Sequence, residues 1–121
     1  MQVSTAQKGR EAETLAAQFL ESKGWRVLQR NFRSRSAELD VVALDGAPLV
    51  FVEVKQRSTH GAGFPEESVD SRKIAKLYEA ARYFLKRNPQ HAGRDCRFDV
   101  IALDGVGLGM QLRHTMDVAC A

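Results

Sequence analysis

The stretch that decides the fold is AELDVVALDGAPLVFVEVK, residues 37–55. Two β-rich segments, Leu39–Leu44 and Leu49–Lys55, flank the dipeptide Asp45-Gly46, which is typical of tight hairpin turns. The stretch therefore predicts two antiparallel strands joined by a hairpin. Counted outward from the turn, the two strands pair in an approximately symmetric register.

Strand alternation assigns the side chains of this hairpin to faces of the sheet, because successive residues point to opposite sides. For the first of the two strands it predicts one face with Glu38, Asp40, Val42 and Leu44, and the other with Leu39, Val41 and Ala43. For the second it predicts Val50, Val52 and Val54 on one face and Phe51, Glu53 and Lys55 on the other. Charged groups thus continue rows that are otherwise apolar.

Asp40 and Glu53 are nearly opposite each other in the symmetric register, so we expect their carboxylates to converge. Carboxylates beside a core are costly unless they are paired or bind a metal, and a hard cation such as Mg²⁺ accepts oxygens from both. The backbone carbonyl of Val54 could be a further ligand. Lys55 could orient an attacking water or stabilise charge on a phosphate. On these residues alone, a structural ion cluster is an equally good explanation.

The rest of the chain shows helix and strand patterns in the order αβββαβ. We predict elements at Gly9–Lys23 (helix), Trp25–Phe32 (strand), Ser71–Lys86 (helix) and Arg97–Leu103 (strand), with a further strand near Met110–His114. The helix before the fourth strand favours a parallel crossover. Gly and Pro punctuation indicates a long exposed loop at 58–67. We expect one domain, 1–121, with residues 1–7 disordered.

Composition is that of an ordinary globular chain, with 44% hydrophobic and 27% charged residues. Its apolar runs are too short to cross a bilayer or to form a signal peptide, so we expect a cytoplasmic protein without a membrane partner. A net charge of +3 is compatible with an anionic partner. Arginines crowd residues 26–35 and basic residues crowd 72–87, where either set could follow a phosphate backbone or simply be solvated.

Asp40 followed by Glu53-Val54-Lys55 resembles the PD-(D/E)xK motif of restriction-endonuclease-like nucleases. The resemblance narrows to the YraN-type bacterial family through the segments Gly9–Glu13, Arg30–Arg33, Ala37–Ala43, Phe51–Arg57 and Arg97–Val100. It implies an α/β (α+β) fold with a restriction-endonuclease-like αβββαβ core, a mixed sheet flanked by helices. It also implies a Mg²⁺- or Mn²⁺-dependent endonuclease that acts on DNA, and the similarity to archaeal Holliday-junction resolvases suggests branched DNA as its substrate. A junction substrate would favour a homodimer.

The resemblance makes Asp40 and Glu53 metal ligands and Lys55 the catalytic lysine. It adds Glu13 on the first helix, acting directly or through water, with Glu11 as a rival two positions away. Candidate nucleic-acid contacts are Arg10, Arg33, Arg35, Gln56, Arg57 and Lys73. The chain departs from the family pattern where Ala12 and Ala37 replace glycines, and no acidic or basic member of the motif is missing.

Two other functions compete with the nuclease. A non-catalytic nucleic-acid-binding module of the same fold would bind DNA with salt dependence but would not cut it. An interaction protein with a structural ion cluster would not bind DNA. Trp25 and Phe32 could stack on bases, although such residues in strands are more often core. Asp99 is best explained as the structural partner of a nearby arginine.

Overall fold

A five-stranded sheet between two helices makes up the computed structural model, which describes residues 5–35, 37–57, 71–105 and 109–118. The elements are α1 (Thr5–Ser22), β1 (Arg26–Arg33), β2 (Glu38–Leu44), β3 (Leu49–Arg57), α2 (Ser71–Arg87), β4 (Cys96–Asp104) and β5 (Gln111–Thr115), with a 3-10 turn at Pro89–His91. The predicted αβββαβ order and the fifth strand are confirmed. The expected disorder of residues 1–7 stays a prediction, since residues 1–4 and the loop 58–67 lie outside the described residues.

The strands lie in the sheet in the order in which they follow one another in the chain. β3 and β4 are parallel, as predicted from the intervening helix, and the other neighbouring pairs are antiparallel. The fold is therefore the expected mixed sheet of an α+β protein. In the described part of the chain, neither helix combines the length and the apolar character needed to cross a membrane.

Each face of the sheet is covered by one helix, which produces two apolar layers. On one side α2 buries Phe84 against Phe51 of β3 and Phe32 of β1. On the other side α1 buries its small and apolar row, including Leu20, against the valines of β3 and against Ile101 of β4. The burial of Phe32 and of Trp25 places both rings in the core rather than at a surface where bases could stack.

Asn31 reverses the alternation of side chains in the middle of β1. Its φ is +55°, in the left-handed region that asparagine tolerates better than most residues. Arg30 before it donates a hydrogen bond to Thr14 of α1, whereas Phe32 after it packs under α2. Regular alternation would put these two side chains on the same face.

The same reversal occurs on the neighbouring strand β2. The predicted face is correct from Val41 to Leu44 but wrong for Leu39, on the N-terminal side of Asp40. Val41 packs under α1 and Val42 under α2, but Leu39 belongs to the α2 layer with Val42 instead of lying beside Val41. Leu39 pairs with Phe32, so both strands change face at the same level of the sheet. Asp40 therefore lies where the regular pleat is interrupted.

Asp99 of β4 is a buried carboxylate that is hydrogen-bonded to several groups. It accepts hydrogen bonds from Arg97 (3.0 Å) and from the backbone of Asp117 (3.0 Å), so its predicted role as an arginine's partner is confirmed. His114 Nε2 lies 2.8 Å from it. Lys23 Nζ lies 3.1 Å from the other ring nitrogen, and an ammonium can only donate, so the Nε2–H of His114 donates to Asp99. Burial alone would raise the pKa of Asp99, but these bonds together hold it below the ordinary 3.8.

We expect Asp99→Asn to lower the free energy of unfolding at pH 7 by about 3 kcal/mol, because it removes the buried charge to which Arg97, His114 and the Asp117 backbone donate. A depressed carboxyl pKa contributes stability above the unfolded pKa, and this stability is lost as the pH falls through the folded pKa. The difference between the two proteins should therefore be full at pH 7 and shrink below pH 3.8. Urea unfolding across this pH range measures it.

Asp45→Asn is the matched control, because Asp45 pairs with the same Arg97 at 3.0 Å while its side chain is 37% exposed. Asparagine is also favoured before glycine at this turn. We expect a loss below about 1 kcal/mol. Equal losses in the two variants would contradict a special role for Asp99.

Candidate metal centre

The site begins where the ladder between β2 and β3 ends. Their paired register runs from Leu44 and Leu49 to Val41 and Val52. One step further, the register places Asp40 opposite Glu53, as counted from the hairpin, but here the backbone N–H of Val54 donates to Asp40 Oδ2 at 2.8 Å. The Asp40 carboxylate thus accepts the hydrogen bond of the Val54 amide, which in a regular ladder would go to a backbone carbonyl of β2.

Three carboxylates form a cluster at this point, which we call the carboxylate cluster: Glu13, Glu38 and Asp40. An oxygen from each lies within 4.8 Å of the others. Glu13 comes from α1 and is buried, whereas its rival Glu11 is exposed. The structure therefore brings Glu13 and not Glu11 to Asp40.

The environment of Asp40 opposes its negative charge. Burial raises the pKa of Asp40 from 3.8 to about 7, with further contributions from the charges of Glu13, Glu53 and Glu38. The hydrogen bond from Val54 acts in the other direction, because it stabilises the ionised form. Near neutral pH the fold therefore holds a carboxylate whose ionisation it disfavours.

Glu53 lies next to the cluster but is paired with two lysines. Lys55 Nζ is 3.3 Å from Glu53 Oε1, and Lys73 of α2 forms an ion pair with the same oxygen. The Glu53 side chain is only 11% exposed. Its other oxygen, Oε2, is buried with no hydrogen-bond partner among the described residues. An acceptor of this kind is available to a cation or to an ordered water.

The two lysines influence each other through this shared carboxylate. Burial and the neighbouring Lys73 lower the pKa of Lys55, and Glu53 opposes that change. For Lys73, burial would lower the pKa, but Glu53 and Lys55 outweigh it and raise the pKa. Glu53 thus favours the charged form of both lysines, and burial opposes it.

The donor set fits a hard divalent cation. Mg²⁺ binds carboxylate oxygens at 2.0–2.1 Å, so opposite ligands stand about 4.2 Å apart, a little closer than the 4.8 Å limit of the cluster. The Val54 bond occupies only one of the four lone-pair sites of Asp40. Since the N–H and C=O of a strand residue point to the same side, the Val54 carbonyl also faces β2. Glu13, Glu38 and Asp40 would hold the ion, with Glu53 beside them.

The candidate nucleic-acid residues are distributed unevenly around this site. Lys73 is in contact with Glu53, whereas Gln56 is exposed. Arg33 is 79% exposed and lies 3.6 Å from Glu38, and Arg35 is exposed in the turn that follows β1. The side chains of Arg10 and Arg57 lie outside what the structure describes.

Two contributors were not assigned to the site from the sequence. The sequence indicates for Glu38 either an influence on the Asp40 site from the same face or a plain surface position, but no place among the metal ligands, and for Lys73 only a phosphate contact. The signal for Glu38 was its position two residues before Asp40. No local signal identifies Lys73 as the partner of Glu53, because that pairing depends on how α2 crosses the sheet.

Comparison with known proteins gives a consistent result over most of the chain. A model of the Uncharacterised protein family UPF0102 matches residues 12–103. The UPF0102 protein of Pseudomonas savastanoi pv. phaseolicola is 49% identical over 84% of this chain and 83% of its own length. Those of Pseudomonas syringae pv. syringae and Persephonella marina are 50% and 43% identical, over 87% and 79% of this chain and 86% and 82% of their own lengths. The matched residues include the carboxylate cluster, Glu53 and both lysines.

We expect Asp40→Asn to stabilise the metal-free protein at pH 8, raising its midpoint temperature on the order of 5 °C. A raised carboxyl pKa means that ionisation costs stability, and this cost grows as the pH rises from 3.8 to about 7. Asparagine can still accept the Val54 N–H without the charge. The difference in midpoint temperature between Asp40→Asn and the wild type should shrink as the pH falls towards 4. Thermal unfolding in EDTA measures it.

Added Mn²⁺ provides the control for this experiment. A ligand that binds only the folded state raises the midpoint temperature. We expect this rise in the wild type and its loss in Asp40→Asn. An equal rise in both proteins would show that the ion binds elsewhere.

Proposed function

We propose that this chain, which belongs to the UPF0102 (YraN) family as its motifs indicated, is a metal-dependent endonuclease. It would hydrolyse phosphodiester bonds in DNA at the candidate metal centre. The observation that carries the proposal is the half-buried Asp40, held by the Val54 amide beside Glu13 and Glu38, with two lysines on the neighbouring Glu53. A purely structural ion cluster would place a cation against each carboxylate. Here, although Arg33 lies 3.6 Å from Glu38, three carboxylates are grouped within 4.8 Å of one another.

Each residue has a distinct part in this proposal. Asp40, Glu13 and Glu38 bind Mg²⁺ or Mn²⁺, and Glu53 and the Val54 carbonyl complete the oxygen-lined edge. The ion supplies positive charge for a phosphate and acidity for an attacking water. Lys55 approaches the phosphate from the β3 side and stabilises its developing charge. Lys73 neutralises Glu53 and keeps it in position.

DNA is the proposed substrate because the site combines carboxylates for a metal with basic side chains for phosphate. The chain has a net charge of +3, and Arg33 and Arg35 lie in and after the strand next to Glu38. The resemblance to junction resolvases makes branched DNA the first substrate to test. A four-way junction has approximate two-fold symmetry, so its cleavage would call for a homodimer with two sites.

A non-catalytic DNA-binding module is the second candidate, and one observation favours it. Glu53 is already paired with Lys55 and Lys73, so this carboxylate does not need a metal for charge balance. Such a module would bind DNA with salt-dependent affinity and show no turnover with any metal. The grouped carboxylates around Asp40 argue against it, since they would repel phosphates.

We expect the protein to cut DNA in Mg²⁺ or Mn²⁺, and Lys55→Ala to lower kcat by about 10²-fold or more, as for loss of one charge-stabilising donor. Linear, nicked, flapped and four-way substrates should be compared. Lys76→Ala is the control, because Lys76 is an exposed lysine of α2 and should cut like the wild type. Equal cleavage by wild type and Lys55→Ala would refute the assignment of Lys55.

We also expect Glu13→Gln to weaken Mn²⁺ binding by at least about tenfold, because it removes a carboxylate charge from the cluster. Glu11→Gln has the same chemistry on the same helix, but Glu11 is exposed, so metal affinity should be unchanged. Isothermal titration calorimetry measures both. If Glu11→Gln produced the larger loss, the choice between these residues would be reversed.

A further inference from the structure

A basic groove lies between the C-terminal half of α2 and the turn that follows β1. It has a volume of about 990 Å³. Four of its lining side chains are cationic: Arg33, Arg35, Arg82 and Lys86. Glu79 is the single carboxylate among the described residues that line it. Cations gathered in a concave surface repel one another and attract a polyanion.

Tyr83 presents an aromatic ring in the same groove. The residue is 40% exposed, unlike the buried Phe32 and Trp25. Its ring is fixed by Phe32, whose centroid is 5.7 Å away, and by Arg87, which lies over the ring and donates to its hydroxyl at 3.1 Å. A rigid exposed ring between cations is the combination that single-stranded nucleic acids use for stacking.

The groove is continuous with the candidate metal centre through one residue. Arg33 lines the groove and also lies 3.6 Å from Glu38 of the carboxylate cluster. Arg33 and Glu38 are partners in the β1–β2 ladder. A phosphate that binds Arg33 in the groove therefore lies near Glu38 of the carboxylate cluster.

We propose that the basic groove binds the sugar-phosphate backbone of an unpaired DNA strand, with a base stacked on Tyr83. Arg82 and Lys86 of α2 contact phosphates from one wall, and Arg33 and Arg35 contact them from the other. The groove with its exposed ring suits one strand, because an unpaired base is free to stack on Tyr83, whereas the bases of a duplex are already paired and stacked on one another. The proposal rests on the proposed function only in taking DNA as its ligand, and it identifies the part of a branched substrate that this domain recognises.

The test measures binding of a fluorescein-labelled oligothymidylate, and of a duplex of equal length, by anisotropy in EDTA over a range of salt. The paired substitution Arg82→Ala with Lys86→Ala removes two groove cations. For a single strand we expect the slope of log affinity against log salt to fall by about 1.4, as for two lost phosphate contacts. Arg26→Ala with Lys76→Ala removes the same charge from exposed residues outside the groove lining and should leave the slope unchanged.

Substitutions of Tyr83 provide a second test of the proposal, one that does not change the charge of the groove. Tyr83→Ala should weaken oligothymidylate binding roughly fivefold or more, while duplex binding stays unchanged. Tyr83→Phe keeps the ring and should bind like the wild type. Thermal unfolding of each variant verifies folding. Wild-type affinity and slope in the Arg82 and Lys86 variant, or equal effects of Tyr83→Ala on single strand and duplex, would overturn the proposal.

Because EDTA prevents metal-dependent cleavage, the two proposals fail separately. If the protein cuts DNA but its groove variants bind normally, the proposed nuclease function stands and the proposed role of the groove is refuted. If the protein never cuts but its groove variants lose single-strand binding, the role of the groove stands and the nuclease function is refuted.

Discussion

The hydrogen bond from the Val54 amide to Asp40 is the constraint on which the site depends. Where the β2–β3 ladder ends, a strand amide needs an acceptor, and the Asp40 carboxylate provides it at 2.8 Å. This bond holds the carboxylate at the sheet, within reach of Glu13 from α1 and of Glu38. The same location withdraws it from water, and the pKa of Asp40 rises to about 7. The fold thus keeps a group in place at an electrostatic cost that a bound cation would offset.

Charge is distributed differently on the two sides of this bond. On the β3 side, Glu53 is neutralised by Lys55 and Lys73 and needs no ion to balance it. On the β2 side, Arg33 lies 3.6 Å from Glu38 and is largely exposed, so solvent weakens the attraction. Negative charge is therefore concentrated at Asp40 and positive charge lies just beyond it. Such a separation suits a site where a cation and a phosphate meet.

Much of the fold could be predicted from patterns that are local in the chain. The hairpin at Asp45-Gly46 set the β2–β3 register, and the helix before β4 indicated a parallel strand, as observed. The faces of β2 could not be predicted in full, because the alternation is reversed at the level of Asn31, and asparagine permits a positive φ without requiring it. The contact of Lys73 with Glu53 was also beyond prediction, since it depends on the path of α2 over the sheet. Local periodicity determines elements, whereas the site is made by the places where periodicity is broken.

The reversal at Asn31 also links the site to the surface beside it. Phe32 turns under α2 because Asn31 changes the face, and Phe32 in turn fixes the ring of Tyr83. The next residue, Arg33, then points to the rim where it meets both Glu38 and the basic groove. On β2 the same level of the sheet carries Asp40. The interruption of alternation in β1 and β2 thus places the carboxylate cluster next to the basic groove. A substitution that restored regular alternation here would separate them even if every charged residue were kept.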